Sequence, residues 1–181
     1  RSYLGRHFEP ILLLYVPIYA LAKDPRVLLI IQSLILALAM IPIYILAKDR
    51  LKNDYIGFSL ALSYMLSPLI QKAHLWTFVS YSIEPLLTVL TFYFLLKKKF
   101  MRYFFSLAIL LLVKESTSIY AILFGIYTFF FMKERKIGLS SMLVGTLYLL
   151  LTTQILIPYF RGDAYQTFAE RYKSVGGDFF T

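Results

Sequence analysis

Lys114 and Glu115 stand side by side in the middle of a stretch, Tyr103–Met132, that carries no other charge. An ionisable side chain at the centre of a bilayer costs about 3 kcal/mol even on lenient scales, so such residues persist where water, a partner or a ligand receives them. The chemistry open to the lysine is phosphate binding, with the ammonium acting as a point charge. The competing reading is a turn that snorkels into headgroups and carries an internal salt bridge worth little. Two further carboxylates begin apolar segments: Glu9 in His7-Phe8-Glu9-Pro10, and Glu84 in Tyr81-Ser82-Ile83-Glu84-Pro85. Carboxylates can serve as general bases, and His7 with Glu9 and Glu84 around one cavity beside Lys114 and Glu115 would make a transfer site. Each Glu-Pro step equally suits the first turn of a helix, where proline is tolerated and a carboxylate faces the positive end of the dipole.

The stretch holding Lys114 is 30 residues long, roughly 45 Å as one helix against about 30 Å of hydrocarbon. A helical hairpin fits better. Tyr103–Val113 rises, Lys114-Glu115-Ser116 turns and Ser118–Met132 returns, so that Lys97-Lys98-Lys99-Arg102 and Lys133-Arg135-Lys136 share one face. The remaining apolar segments are expected to be helices too. Phe8–Ala22, with Pro10 and Pro17, is short and suits an interfacial or re-entrant helix better than a full span. Val27–Ala47, with a kink at Pro42, is long enough to cross. Asp54–Ile70, Ser82–Leu96 and Leu139–Tyr159 follow.

Composition agrees with an all-α, polytopic bundle of about six membrane passages in a single domain. Residues 1–25 and 159–181 are its outer loops, and 26–158 its helices. Hydrophobic residues make up 59% and aromatic residues 18% of the 181, with a mean hydropathy of +0.68, above soluble domains of this size. The net charge of +9 does not point to nucleic acid, because the basic residues form short clusters between apolar segments. Loops 48–54, 97–102 and 132–137 hold ten of the nineteen lysines and arginines, and seven of the ten acidic residues fall on the other face. By the positive-inside rule the basic loops are cytoplasmic and both chain ends extracytoplasmic. No cysteine is present, which excludes disulfides, thiolate metal sites and a cysteine nucleophile. His7 and His74 are the only histidines, too few for a multi-histidine metal site. No glycine-rich phosphate loop, nucleophile elbow or His-Glu-x-x-His motif occurs. Most of the aromatics suit interface anchoring; Trp76 fits such an anchor or a lid over an outer groove. The last segment adds Tyr159, Arg161, Asp163, Arg171, Tyr172 and Lys173; Arg161 and Arg171 are candidate substrate contacts, or part of a solvated loop touching headgroups.

The order of these elements resembles the membrane core of the GT-C glycosyltransferase superfamily. The resemblance is carried by His7-Phe8-Glu9-Pro10-Ile11-Leu12, Ile45-Leu46-Ala47-Lys48, Ile83-Glu84-Pro85-Leu86-Leu87 and Val113-Lys114-Glu115. Within that superfamily the chain is most similar to a predicted membrane-protein family classed as a domain of unknown function, number two thousand and seventy-nine. The tail Ile157-Pro158-Tyr159-Phe160 and Arg171-Tyr172-Lys173-Ser174-Val175-Gly176-Gly177 resembles that family as well. The resemblance implies an enzyme that takes a sugar from a polyprenyl-phosphate carrier on the extracytoplasmic face, with a divalent cation as an optional aid. It implies that His7 and Glu9 border the active-site loop, that Glu84 opens the helix after the second outer loop, and that Lys114 holds the carrier phosphate. In that superfamily the acidic catalytic residues lie on the first outer loop, before the position of Arg1. The chain is accordingly expected to be a piece of a longer protein, its base upstream and Glu9 and Glu84 the candidates within it. A lipid or solute transporter and a non-catalytic subunit of a membrane assembly are the alternatives. The expected partners are membrane lipids, the lipid-linked sugar and other membrane proteins.

Overall fold

The computed structural model describes residues 3–161, and among them the secondary structure is entirely helical. After a short turn at Tyr3–Gly5 come α1 (Leu12–Ala22), α2 (Pro25–Leu38), α3 (Met40–Leu51), α4 (Asp54–Met65) and α5 (Pro68–Trp76). They are followed by α6 (Glu84–Leu96), α7 (Phe100–Leu111), α8 (Ser118–Phe130), α9 (Arg135–Leu151) and α10 (Ile157–Arg161).

Local chemistry sets most of these boundaries. Asp24 accepts a hydrogen bond from the Arg26 amide at 2.8 Å with Pro25 in the first turn of α2. Asn53 accepts from the Ile56 amide at 3.1 Å and starts α4; both are ordinary N-caps. Pro42 has no N–H for the Leu38 carbonyl, and the helix is interrupted nearby, at Ala39. Pro68 divides the expected segment 54–70: α4 ends at Met65 and a separate helix begins, since a residue preceding proline is pushed out of the helical region. In front of Pro158 the last helix widens into a π turn over Thr152–Leu156. The Thr152 and Thr153 hydroxyls donate there to the carbonyls of Tyr148 and Leu149 at 2.8 and 2.7 Å.

Two apolar helical stretches are long enough to cross a membrane, Pro25–Leu51 and Arg135–Phe160. They coincide with the expected spans Val27–Ala47 and Leu139–Tyr159. The other helices are shorter: α6 has 13 residues and α7 has 12, about 20 and 18 Å. Polarity runs opposite to that of a soluble protein. Gln32, Thr91, Thr117, Ser118, Thr128, Ser141 and Thr152 are fully buried, whereas Leu13, Leu21, Phe105, Phe131 and Leu139 face outward. Several buried hydroxyls bond back to a carbonyl one turn earlier, as Thr128 does to Phe124 at 2.6 Å and Ser141 to Ile137 at 2.9 Å. That arrangement suits an apolar medium, where small polar residues turn inward.

The charged stretch forms a hairpin by sequence, α7 and α8 joined at 112–117, yet its two arms pair elsewhere. α7 packs on α6 and α8 on α9. The hairpin base is closed by an ion pair, Lys98 Nζ to Glu134 Oε1 at 2.7 Å, and Lys97 reaches Asp49 at 2.8 Å. All three basic loops therefore meet at one end of the bundle. The Asp49 carboxylate, hydrogen-bonded to Lys97, raises the pKa of that ammonium above its ordinary value. The core fills the middle with Leu87 and Leu95 of α6, Tyr103, Leu107 and Leu110 of α7, Val113 and Ala121. Tyr103 donates to Ser141 Oγ at 2.8 Å, joining α7 to α9.

The α8–α9 contact is made at backbone distance. A Cβ on Gly125 would stand 2.7 Å from the Gly138 carbonyl oxygen and the Met142 amide; one on Gly138 would stand 2.7 Å from the Phe129 amide. Gly138→Ala is expected to force the helices apart at a cost of about 1–3 kcal/mol, the usual range for overpacking. Thermal unfolding of the purified protein in detergent measures it. An unchanged midpoint in both Gly125→Ala and Gly138→Ala would show that the seam is not under this constraint.

Candidate functional site

At the end of the bundle away from the basic loops, three chain segments converge: residues 6–11 leading into α1, residues 77–83 between α5 and α6, and the turn 112–117. The turn is held from within. Thr117 is fully buried and its hydroxyl approaches the carbonyls of Leu110 and Lys114, both at 2.7 Å, while Ser118 Oγ donates to the Glu115 carbonyl at 2.6 Å. Lys114 is extended, with φ −163° and ψ 154°, so the two adjacent charges diverge.

Glu115 turns to the N-terminal segment. Its Oε1 lies 2.8 Å from His7 Nδ1 and its Oε2 accepts from the Phe8 amide at 3.0 Å. Both carboxylate oxygens are thus used, and the Ile11 amide adds a backbone bond to the Leu112 carbonyl at 2.9 Å. No ion pair joins Lys114 to Glu115. Lys114 Nζ instead stands 4.7 Å from the centre of the Tyr81 ring, a cation–π distance.

Glu9 is 1% exposed and accepts a hydrogen bond from Ser80 Oγ. Ser80 in turn sits in a segment fixed from below. Gln32 of α2 receives the Val79 amide on its Oε1 at 2.7 Å and donates Nε2 to the Thr77 carbonyl at 3.4 Å, and Tyr15 packs edge-on against Phe78 at 4.9 Å. Thr77 and Val79 are extended, so without Gln32 these backbone groups would face an apolar helix unpaired. Glu84 takes its place in the first turn of α6 and accepts from Tyr120 OH of α8 at 2.8 Å.

His7, Glu9 and Lys114 line one cavity of about 520 Å3, together with Ser80, Tyr81 and Phe78. Glu84 and Glu115 are not on its wall; they tie the elements that form it. Arg161 closes α10, its side chain lying outside those described, as do those of His74 and Trp76. Arg171 and the rest of the 162–181 tail lie outside the described residues altogether. Chemically the cavity wall offers one ammonium, one imidazole and one carboxylate, from Lys114, His7 and Glu9. A ligand bearing both a phosphate and hydroxyls matches this set of groups. Among the described residues no three histidine, cysteine, aspartate or glutamate side chains form a group that could hold a metal ion. Gln32, Ser80 and Tyr120 did not stand out as site residues in the sequence. For Gln32 the signal was present, an amide inside the apolar run 27–47, a position worth attention in any membrane segment. Ser80 and Tyr120 had none, being ordinary residues until the fold supplies Glu9 and Glu84 as partners.

Residues 1–180 match the model of the family described as predicted membrane protein (DUF2079), and the chain belongs to that family. No curated protein and no solved structure matches it.

The Glu115 bonds to His7 and Phe8 make the N-terminal segment a latch on the hairpin tip. Hydrogen bonds to a charged group contribute about 1.5–3 kcal/mol. Glu115→Ala is therefore expected to raise amide exchange of a peptide covering Phe8 about ten-fold or more, readable by hydrogen-exchange mass spectrometry. Exchange equal to that of the unsubstituted protein would show that the latch is held by something else.

Proposed function

We propose that this member of the DUF2079 family is a GT-C-like membrane glycosyltransferase, or the membrane part of one, acting on a polyprenyl-phosphate-linked sugar at the extracytoplasmic face. The observation that carries the reading is the cavity that brings His7, Glu9 and Lys114 together at the end opposite the basic loops. An acceptor hydroxyl attacks the anomeric carbon as the bond from that carbon to the carrier phosphate breaks. The bonding pair leaves on the phosphate oxygen and the hydroxyl proton passes to a carboxylate. Lys114, with His7 beside it, meets the charge that develops on the leaving phosphate. Glu9, as the carboxylate on the cavity wall, is the group within the chain assigned to the acceptor. Glu84, bonded to Tyr120, is assigned to hold α6 against α8.

The sidedness follows from charge. Lys97, Lys98 and Lys48, with their partners Asp49, Glu134 and Asp54, lie at the end assigned to the cytoplasm by the positive-inside rule. In this orientation α1, 11 residues and about 16 Å long, lies along the outer interface. The six passages are the two long helices and four shorter ones, α6 being lengthened by the turn Ser80–Ile83 to a 17-residue apolar run.

Two measurements test the proposal. Transfer from a polyprenyl-phosphate sugar to a cell extract is expected to fall about 100-fold or more in Lys114→Ala, the scale set by removing one group that stabilises developing negative charge. Glu9→Gln is expected to fall as well; unchanged transfer in both would remove the active-site assignment and favour a non-catalytic subunit. Because the chain has no cysteine, single cysteines report topology without background. Arg6→Cys should react with a membrane-impermeant maleimide added outside intact cells and Lys99→Cys should not; the opposite pattern would invert the orientation.

A further inference from the structure

The basic end of the bundle carries a second feature, which shares no residue with the Lys114 cavity. Between α3 and α6 runs an apolar groove of about 260 Å3, walled by Ile41, Pro42 and Ile45 on one side and Leu86, Leu90 and Tyr93 on the other. It lies beside the helix interruption at Ala39. Next to it, and sharing Tyr93, is a polar pocket of about 200 Å3 lined by Asp49, Arg50 and Lys97. Lys97 Nζ is 2.8 Å from Asp49 Oδ2 and 5.8 Å from the Tyr93 ring centre. Among the described residues no carboxylate pairs with Arg50.

The charges on this pocket are therefore two cations and one carboxylate, a net of one positive. A phosphodiester carries one negative. Arg50 supplies a planar fork matched to two phosphate oxygens. The groove that continues from the pocket is aliphatic and has no use for a free inorganic anion, but it suits a hydrocarbon chain. Headgroup-binding charges at the helix ends and a chain-sized groove running inward follow the order in which a bilayer presents a lipid. Tyr93, which lines both the groove and the polar pocket, is the type of residue that marks such an interface.

We propose that the α3–α6 groove binds one anionic phospholipid from the leaflet at the basic end, its phosphate on Arg50 and Lys97 and one acyl chain between Ile45 and Leu90. The site is separate from the transferase reading, and its occupancy can be measured without any assay of transfer.

The test is native mass spectrometry of the purified chain, released from detergent after equilibration with equal amounts of dioleoylphosphatidylglycerol and dioleoylphosphatidylcholine. The protein should retain one phosphatidylglycerol in preference to phosphatidylcholine. Arg50→Gln keeps the Lys97–Asp49 pair and should lower that retention about five-fold, the usual effect of one basic residue near an anionic headgroup. Leu90→Trp keeps every charge, fills the groove and should lower it too. Lys136→Gln removes one positive charge from a different loop and should leave it unchanged. Equal losses in Arg50→Gln and Lys136→Gln would overturn the proposal in favour of diffuse charge. Displacement of the lipid by glycerol phosphate at matched concentration would overturn the role of the groove. Should Leu90→Trp fail to give monodisperse protein, Arg50→Gln and the glycerol phosphate competition decide the matter alone.

Discussion

Everything at the candidate site hangs from the backbone contact between α8 and α9. In a bilayer two apolar helices gain little from hiding hydrophobic surface, since lipid covers it equally well; close packing and interhelical hydrogen bonds must hold them. Gly125, Gly138 and Gly145 allow this, because a Cβ at any of them would come within 3 Å of the other helix. Ser118, Ala121 and Thr128 on α8 and Ser141 on α9 extend the seam of small buried residues. α8 begins directly after the turn that bears Lys114 and Glu115. Docking α8 on α9 therefore determines where the turn stands, and the Tyr103–Ser141 bond brings α7 to the same support.

With the turn in place, a small set of polar bonds assembles the cavity. Each joins segments far apart in the chain: Glu115 to His7 and Phe8, Ser80 to Glu9, Gln32 to 77–79, Tyr120 to Glu84. These are groups that an apolar surrounding would penalise if left unpaired. The same bonds that satisfy them also locate the residues left to face the cavity. Glu115 serves as the anchor and Lys114 as the half-buried cation on the cavity wall, a division of labour between neighbours that follows from the extended backbone at Lys114.

The two ends of the bundle differ in kind. At one, carboxylates and hydroxyls are buried in bonds between loops. At the other, three ion pairs link exposed lysines to Asp49, Asp54 and Glu134, pairs of a type that contributes little stability but leaves a strong excess of positive charge. Such asymmetry orients a membrane protein, and it also provides different ligand chemistry at each face.

The sequence by itself determined the helical class, the apolar medium, the two long helices and the turn at 114–116. These follow from composition, run length and charge spacing, which are local properties. It also singled out His7, Glu9 and Lys114, because a charge beside an apolar run is conspicuous wherever the run packs. The tertiary structure decided which of those charges meet. Glu9 and Glu84 open their segments in the same Glu-Pro pattern, yet one lines the cavity with Lys114 and the other is bonded to Tyr120. The pairing of hairpin arms with α6 and α9 rather than with each other was likewise invisible, since all four helices are apolar and lipid does not discriminate among their faces. Only the fit of backbone to backbone at glycine does, and that is a property of two helices together rather than of either alone.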